Sequence, residues 1–433
     1  MIPLLWFAAF VAALIFLMAL RIPVAVSMGL IGMAGTAAFV SPRAIVQIAN
    51  LAYSQTGSFV LVVVPLFVLM GEVIAVSGLG TSLFRAAALW LRRLPGGLAI
   101  GTIAACTGFA AVCGSSPVTA ATMGALSFPE MVKRGYSKRL ALGATAAGGT
   151  LGILIPPSVP MILYGVITNT SIGKLFLAGI LPGLMLATLL SLTVIAQVML
   201  RPQDAPKITE ISSTRERIRA TGEAAPIVLI SFMVIGSIYA GIATPTEAGA
   251  VGAAAAILVS ALMRKLKLTA LRRALDGTIR TTAMFMLLLI GGIFSSFVLT
   301  RLGVPQGLSA FLTGLDVPSW VIIIAINVFL LVLGMFMDPL SILVIVVPIF
   351  LHTIVGLGYD PIWFGILVTI QIEIAAISPP VGFNLFVLRS AAPGATLQDA
   401  MMGSLIFIVP MLVGVGLLMV FPDIALFLPS LLR

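Results

Sequence analysis

Two Pro-Pro dipeptides, Pro156-Pro157 and Pro379-Pro380, stand 223 residues apart, and each follows a Gly-Tyr dipeptide by 21 residues. Those dipeptides are Gly135-Tyr136 and Gly358-Tyr359. At the same offset Pro95 falls on Pro318, Gly80 on Gly303 and Gly29 on Gly252. The offset is about half of the 433-residue chain. Raw identity between the halves is barely above chance in a chain this rich in Ala, Gly and Leu, so the weight rests on the rare dipeptides. Proline removes a backbone donor and clashes with the preceding helical turn, and glycine frees φ. A repeat carried by these residues is therefore a repeat of where helices stop, and it requires two copies of one helical plan.

The solvent for those helices follows from composition. Hydrophobic residues make up 60% of the chain and charged residues 9%, against about 25% charged in a soluble domain. Several apolar stretches reach the roughly 20 residues that span hydrocarbon. The chain reads as an all-α polytopic membrane protein. Residues 2–20 carry no basic leader and no small-residue cleavage site, so they read as a first span and not as a signal peptide. The net charge of +10 reads as orientation signals at helix ends, not as a nucleic-acid footprint. Cys106 and Cys113, seven apart in one apolar segment, read as core residues on one helix face, with no disulfide framework. A single histidine beside two cysteines argues against a metal-dependent membrane enzyme. The sequence contains no phosphate-cradling loop of the Walker type, and no clustered catalytic groups. An enzyme is not expected. Nor is a channel, which would need a continuous polar lining.

Ten crossings are predicted, at roughly 3–20, 23–40, 58–79, 139–169, 175–199, 224–242, 245–263, 282–300, 361–390 and 404–428, with room for an eleventh. Those at 139–169 and 361–390 are broken at the Pro-Pro pairs. Two further apolar segments, 97–132 and 319–354, are interrupted near their middles by Gly114-Ser115-Ser116-Pro117 and Met337-Asp338-Pro339. Each half is too short to cross comfortably, so both segments read as re-entrant helical hairpins with tips buried in protein or lining water. With hairpins returning to their side of entry, 20 of the 24 Lys and Arg residues, Lys207 among them, collect on one side. Arg43, Lys174, Arg301 and Arg433 fall on the other. The positive-inside rule makes the crowded side cytoplasmic and both termini external. Five crossings per repeat invert the second copy, giving repeats at 1–200 and 224–433 and a polar cytoplasmic linker at 201–223. The linker is expected to hold a short amphipathic helix. Segments 81–94 and 264–280 mix Arg and Lys with Leu and Ala and read as interfacial helices.

Inverted repeats with broken helices point to a secondary transporter with its site at the breaks. Freed carbonyls at a break suit a cation, and exposed helix N-termini suit an anion. Two oxygen cages for Na⁺ flanking one substrate site are therefore expected. The first would use Gly114, Ser115, Ser116, Ile155, Pro156 and Ser158; the second Met337, Asp338, Ser378, Pro379 and Gly382. Ser115, Ser116, Ser158, Thr119, Asn169 and Asn384 are the candidates for substrate, with Thr122 weaker. Ionisable residues within spans are functional candidates by default. Asp338 leads them, at a hairpin tip. Glu72, Glu247 and Glu373 each read as an ion or proton carrier or as a helix-packing group, and His352 as structural.

The stretches GSSPVTAATMG (114–124), GILIPPSVPMILYGVITNTSIGKLFLAGILPG (152–183), TPTEAGAVG (244–252), MDPLSILVIVVPI (337–349) and ISPPVGFNLFV (377–387) together resemble the large membrane subunit of tripartite ATP-independent periplasmic (TRAP) transporters. The resemblance runs over essentially the whole chain. It implies an elevator-type transporter, in which a transport domain slides against a scaffold, coupled to Na⁺ at two or more sites. The ion positions it implies are Ser115, Ser116, the backbone near Pro156, Asp338 and the backbone near Pro379. It further implies a bacterial inner-membrane location, a separate small four-helix membrane subunit and a periplasmic substrate-binding protein. The substrate would be an organic acid of the C4-dicarboxylate, keto acid, sugar acid or sialic acid type. A one-component divalent-anion or citrate-type symporter of the same architecture is the alternative.

Overall fold

A computed structural model describes residues 2–206 and 213–431, and every regular element in them is a helix. The first half runs α1 (Ile2–Ala19), α2 (Val24–Phe39), α3 (Ala44–Thr56), a 3₁₀ turn (Phe59–Val62) into α4 (Val63–Val76), α5 (Leu79–Leu91), α6 (Gly97–Cys113), α7 (Ser116–Lys133), α8 (Lys138–Thr150), α9 (Val159–Thr168) and α10 (Ile172–Leu200). The second runs α11 (Thr214–Tyr239), α12 (Pro245–Leu262), α13 (Leu268–Arg301), α14 (Val304–Thr313), α15 (Ser319–Gly334), α16 (Pro339–Gly356), α17 (Pro361–Ala376), α18 (Phe383–Ala391), α19 (Leu397–Val420) and α20 (Asp423–Ser430).

Shifted by 223 residues, α5 to α10 fall on α14 to α19, and α1 and α2 on α11 and α12. Much of the helix punctuation matches at this offset. Gly135 and Gly358 adopt φ of +82° and +83°, and both Pro-Pro bonds are cis. Ser115 and Asp338 occupy the N-caps of α7 and α16, and Ser137 and Asp360 those of α8 and α17. Packing is crosswise between the halves: α7 lies on α18 as α16 lies on α9, and α2 lies on α13 as α4 lies on α12. Each predicted hairpin thus leans its second arm on the half-helix beyond the other repeat's break. The Tyr164 hydroxyl of α9 adds a cross-repeat bond, donating to the Pro361 carbonyl at the start of α17, 2.5 Å away.

The small residues of α8 explain how closely this bundle packs. A Cβ on Gly143 would stand 2.2 Å from the Gly403 carbonyl oxygen, and one on Gly403 would stand 2.1 Å from that of Arg139. The backbones of α8 and α19 are in direct contact, as small residues allow between helices in lipid.

The structure corrects three sequence expectations. The predicted interfacial helix 264–280 and span 282–300 are one 34-residue helix, α13. The charges at Arg272, Arg273 and Arg280 suggested a boundary, but no proline or turn glycine stands there to make one. In the first repeat Gly57-Ser58 does make one, dividing α3 from the turn leading into α4. Second, the linker does not run to 223. Ser213 and Glu216 form a capping box, and α11 continues unbroken from Thr214 into the span predicted at 224–242. Residues 207–212 of the linker, including Lys207, lie outside the described residues, as does Arg433. Third, α3 and α14 were not expected. α3 buries Ala44, Ile48 and Ala52, one face at a four-residue spacing, and α14 is the counterpart of α5. Shorter apolar helices stand at the predicted crossings 3–20 and 23–40, and seven helices among the described residues are long and apolar enough to cross a membrane. They are Phe59–Val76, α10, α11, α12, α13, α16 and α19. α2 has 16 residues, and the two Pro-Pro segments are divided into short helices.

Candidate functional site

Both predicted hairpin tips reach one cavity of about 190 Å³. Gly114 and Ser115 of the first tip line it together with Asp338 and Pro339 of the second. Val159 at the start of α9, Phe383 at the start of α18, Glu72 of α4 and Thr281 of α13 are among its other lining residues. No Lys or Arg is among its lining residues.

The first tip is built by Gly114. It ends α6 in the left-handed region at φ +62°, which glycine adopts without a Cβ penalty. The Cα hydrogen that a side chain would replace faces the first break: a methyl there would stand 2.5 Å from the Pro157 carbonyl oxygen. The Val159 N–H donates to the Gly114 carbonyl at 3.3 Å, locking tip to break. Next to it the carbonyls of Ile155, Pro156 and Pro157 receive no hydrogen bond from any described residue, although all three residues are buried. Buried carbonyls are nearly always paired, so this row of oxygens presents a binding surface for a cation.

The second tip departs from the first because its cap is charged. Asp338 Oδ1 accepts from the N–H groups of Leu340 and Ser341, both at 3.1 Å, and Oδ2 accepts from the Ser341 hydroxyl. At the second break the Ile377 carbonyl accepts from the Ser404 hydroxyl at 2.9 Å. Those of Ser378 and Pro379 receive no donor from the described residues. They are the counterparts of Ile155 and Pro156.

The helix N-termini at the cavity divide into capped and open. Ser158 caps α9 by accepting from the Met161 N–H at 3.3 Å, and Asp338 caps α16. Neither Ser115 at α7 nor Gly382 at α18 supplies a side-chain cap. Two helix ends with unsatisfied N–H groups and a positive field therefore open beside the cavity.

The remaining candidates scatter. Ser116 is fully buried and turns away from the cavity: its hydroxyl donates to Glu373 Oε2 at 2.7 Å, and Asn384 Nδ2 donates to Ser116 Oγ at 2.5 Å. Thr119 donates to the Ser115 carbonyl at 2.8 Å, and Ser378 to the Ile374 carbonyl at 2.6 Å. Asn169 is exposed at the far end of α9, about 15 Å of helix from Ser158. It lines a different cavity of about 320 Å³ with Gln55 and Arg301. Glu247 forms a capping box with Thr244 at the start of α12: the Thr244 N–H donates to its carboxylate at 2.8 Å. That accounts for the TPTEA stretch structurally. His352 is exposed on α16, and Met337 is buried at the second tip. Glu72 is one of the three glutamates, with Glu247 and Glu373, whose role the sequence left open. It faces the cavity, its carboxylate packed against Gly277 of α13. Its position within a span is the signal that pointed to it.

Comparison with known proteins matches residues 11–424 to the family profile described as "Tripartite ATP-independent periplasmic transporter, DctM component". The chain is 36% identical over 405 residues to the C4-dicarboxylate TRAP transporter large permease protein DctM of Pseudomonas aeruginosa, covering 93% of this chain and 94% of that one. It is 34% identical to the isethionate TRAP transporter permease protein DctMQ of Oleidesulfovibrio alaskensis, over 86% of this chain and 58% of that longer one. Among solved structures, the YdaH transporter of Alcanivorax borkumensis superposes with a TM-score of 0.64 at 14% identity, covering 97% of this chain and 98% of that one. That last likeness concerns the fold alone.

Proposed function

Because this chain belongs to the DctM component family of the tripartite ATP-independent periplasmic transporters, we propose that it is the large membrane subunit of a Na⁺-coupled importer of organic acids. One observation carries the reading: two symmetry-related tips meet at one cavity, Val159 and Phe383 bring to it the half-helices that follow the two breaks, and each break has carbonyls with no donor among the described residues. Na⁺ is a hard cation that takes oxygen ligands. The first ion sits between the Gly114-Ser115 tip and the carbonyls of Ile155 and Pro156. The second sits between Asp338 with the Met337 backbone and the carbonyls of Ser378 and Pro379, with Gly382 closing the turn. The substrate carboxylate is held by the N-termini of α7 and α18, by the Ser115 hydroxyl and by the field of the bound ions. Without the ions, Glu72 and Asp338 would repel it, and this makes anion binding depend on Na⁺.

Transport follows an elevator path, with the tips and breaks moving as one body against a scaffold. The chain lies in a bacterial inner membrane with both termini periplasmic. It works with a small four-helix membrane subunit and a periplasmic protein that delivers the substrate. The name DctMQ of the Oleidesulfovibrio alaskensis relative, and its greater length, support pairing with a second membrane component.

The test is uptake of a labelled organic-acid panel into proteoliposomes containing this chain and its small membrane subunit, under an inward Na⁺ gradient. Uptake that needs both Na⁺ and the binding protein is the expected result. Uptake without the binding protein would replace this reading with the one-component symporter. Uptake indifferent to Na⁺ would remove the ion from the mechanism.

A further inference from the structure

A cavity of about 550 Å³ opens where the end of α5, the start of α6, the turn between α7 and α8 and the end of α10 meet. It shares no lining residue with the transport cavity. Arg92 and Arg93 line it, and no Asp or Glu does. Arg93 is exposed and pairs with no acid among the described residues. Asp204, close by in the chain, accepts from Gln197 Nε2 at 3.0 Å. Tyr136 is 4% exposed and also lines the cavity. Its hydroxyl accepts from the Leu98 N–H at 3.2 Å, and its own hydrogen has no acceptor among the described residues. Gly96 brings the N-terminus of the 17-residue α6, with its partial positive charge, to the same wall. The rest of the lining is apolar, with Leu94 at 42% and Met199 at 71% exposed.

The repeat shows that the fold does not need these arginines. Shifted by 223 residues, Pro95 falls on Pro318 and Tyr136 on Tyr359, but Arg92-Arg93 falls on Leu315-Asp316. The same corner is built once with two cations and once with an anion. In the orientation proposed above, the cationic copy faces the cytoplasm and the other, inverted, faces outward. An orientation signal needs charge alone; it does not need a walled cavity with a buried hydroxyl donor. Guanidinium and hydroxyl groups together donate to phosphate oxygens, and exposed Leu94 and Met199 offer hydrocarbon beside them. We propose that this cavity binds an anionic phospholipid of the cytoplasmic leaflet, with Arg92, Arg93 and the Tyr136 hydroxyl on its phosphate and its glycerol and acyl portion along Leu94 and Met199. Basic pockets between membrane helices on the cytoplasmic side hold headgroups of this kind. The lipid ties the end of α5 to the end of α10. The inference deepens the transporter reading and takes its membrane orientation from it.

The test counts bound lipid and needs no transport, so its failure is separate from failure of the transporter reading. The purified full-length chain in detergent is titrated with phosphatidylglycerol or phosphatidylcholine and followed by native mass spectrometry. Wild type is compared with Arg92→Gln/Arg93→Gln and with Arg272→Gln/Arg273→Gln. The second pair is exposed on α13 and does not line the cavity, so it removes the same charge elsewhere. Wild type should bind a first phosphatidylglycerol more tightly than phosphatidylcholine. That affinity should fall about tenfold or more in Arg92→Gln/Arg93→Gln, stay unchanged in the α13 pair and largely survive in Arg92→Lys/Arg93→Lys. No preference between the lipids in wild type, or an equal loss in the two Gln pairs, would overturn the proposal. Displacement of phosphatidylglycerol by an equal concentration of inorganic phosphate would overturn the lipid in favour of a soluble anion. If Arg92→Gln/Arg93→Gln does not fold, Arg93→Gln alone, at an exposed position, should still weaken phosphatidylglycerol binding, and unchanged binding would overturn the proposal equally.

Discussion

Replacing Gly114 with alanine separates the conformational role of the first tip from its contact with the first break. Gly114 sits at φ +62°, where an L side chain costs about 1–2 kcal/mol. The new methyl would also stand 2.5 Å from the Pro157 carbonyl oxygen. A carbon–oxygen contact relaxes to about 3.3 Å, so tip and break must separate by the difference, about 0.8 Å. Binding groups tolerate displacements of about 0.5 Å, and misplacement by about 1 Å costs on the order of a hundredfold where geometry is critical. Gly78→Ala is the matched control, because Gly78 has φ +69° and no atom within 4 Å of its would-be Cβ. It carries the conformational cost without the collision. Both variants should lose thermal stability in detergent, Gly114→Ala the more because of the added collision. Na⁺-gradient uptake in proteoliposomes should show the half-saturating Na⁺ concentration raised about tenfold or more in Gly114→Ala and unchanged in Gly78→Ala. Equal Na⁺ dependence in the two variants would refute the argument that the tip and the first break jointly hold an ion.

Asp338 combines a cap with a charge, and two substitutions divide them. Asn caps as well as Asp, whereas Ala forfeits about 0.5–2 kcal/mol, so Asp338→Asn should keep the wild-type melting temperature while Asp338→Ala lowers it. Both should lose Na⁺ dependence of uptake, and retained dependence in either would take the carboxylate out of ion binding. Glu247→Ala should destabilise by about 1 kcal/mol through its capping box and leave the half-saturating Na⁺ concentration unmoved; a shift would mean that the TPTEA stretch bears on the ion. Glu72→Gln removes a negative charge facing an anionic substrate. A like charge sharing the cavity is worth about 1 kcal/mol or more, so the apparent KM for the organic acid should fall about fivefold, and a rise would indicate that Glu72 contacts the substrate productively.

The sequence by itself determined where the helices stop and that they stop twice in the same pattern. Proline, left-handed glycine and capping side chains act on the backbone within a turn of themselves, so Gly135 and Gly358, the two Pro-Pro pairs and the caps Ser115 and Asp338 could be located without knowing what surrounds them. Where the chain lacks such a residue, as in α13, charge alone suggested a boundary that the backbone does not make. The identity of the cavity-lining side chains was decided only by the tertiary structure. Ser115 is the extended N-cap of α7 and Ser116 its first helical residue, so the adjacent serines part company: Ser115 opens to the cavity and Ser116 turns to a carboxyl group 257 positions away. Asn169 and Ser158 lie at opposite ends of one helix; Asn169 lines a separate cavity, and Ser158 caps the helix. The direction of a side chain and the partner that awaits it depend on which helix is packed alongside. For Ser116 that neighbour comes from the other half of the chain.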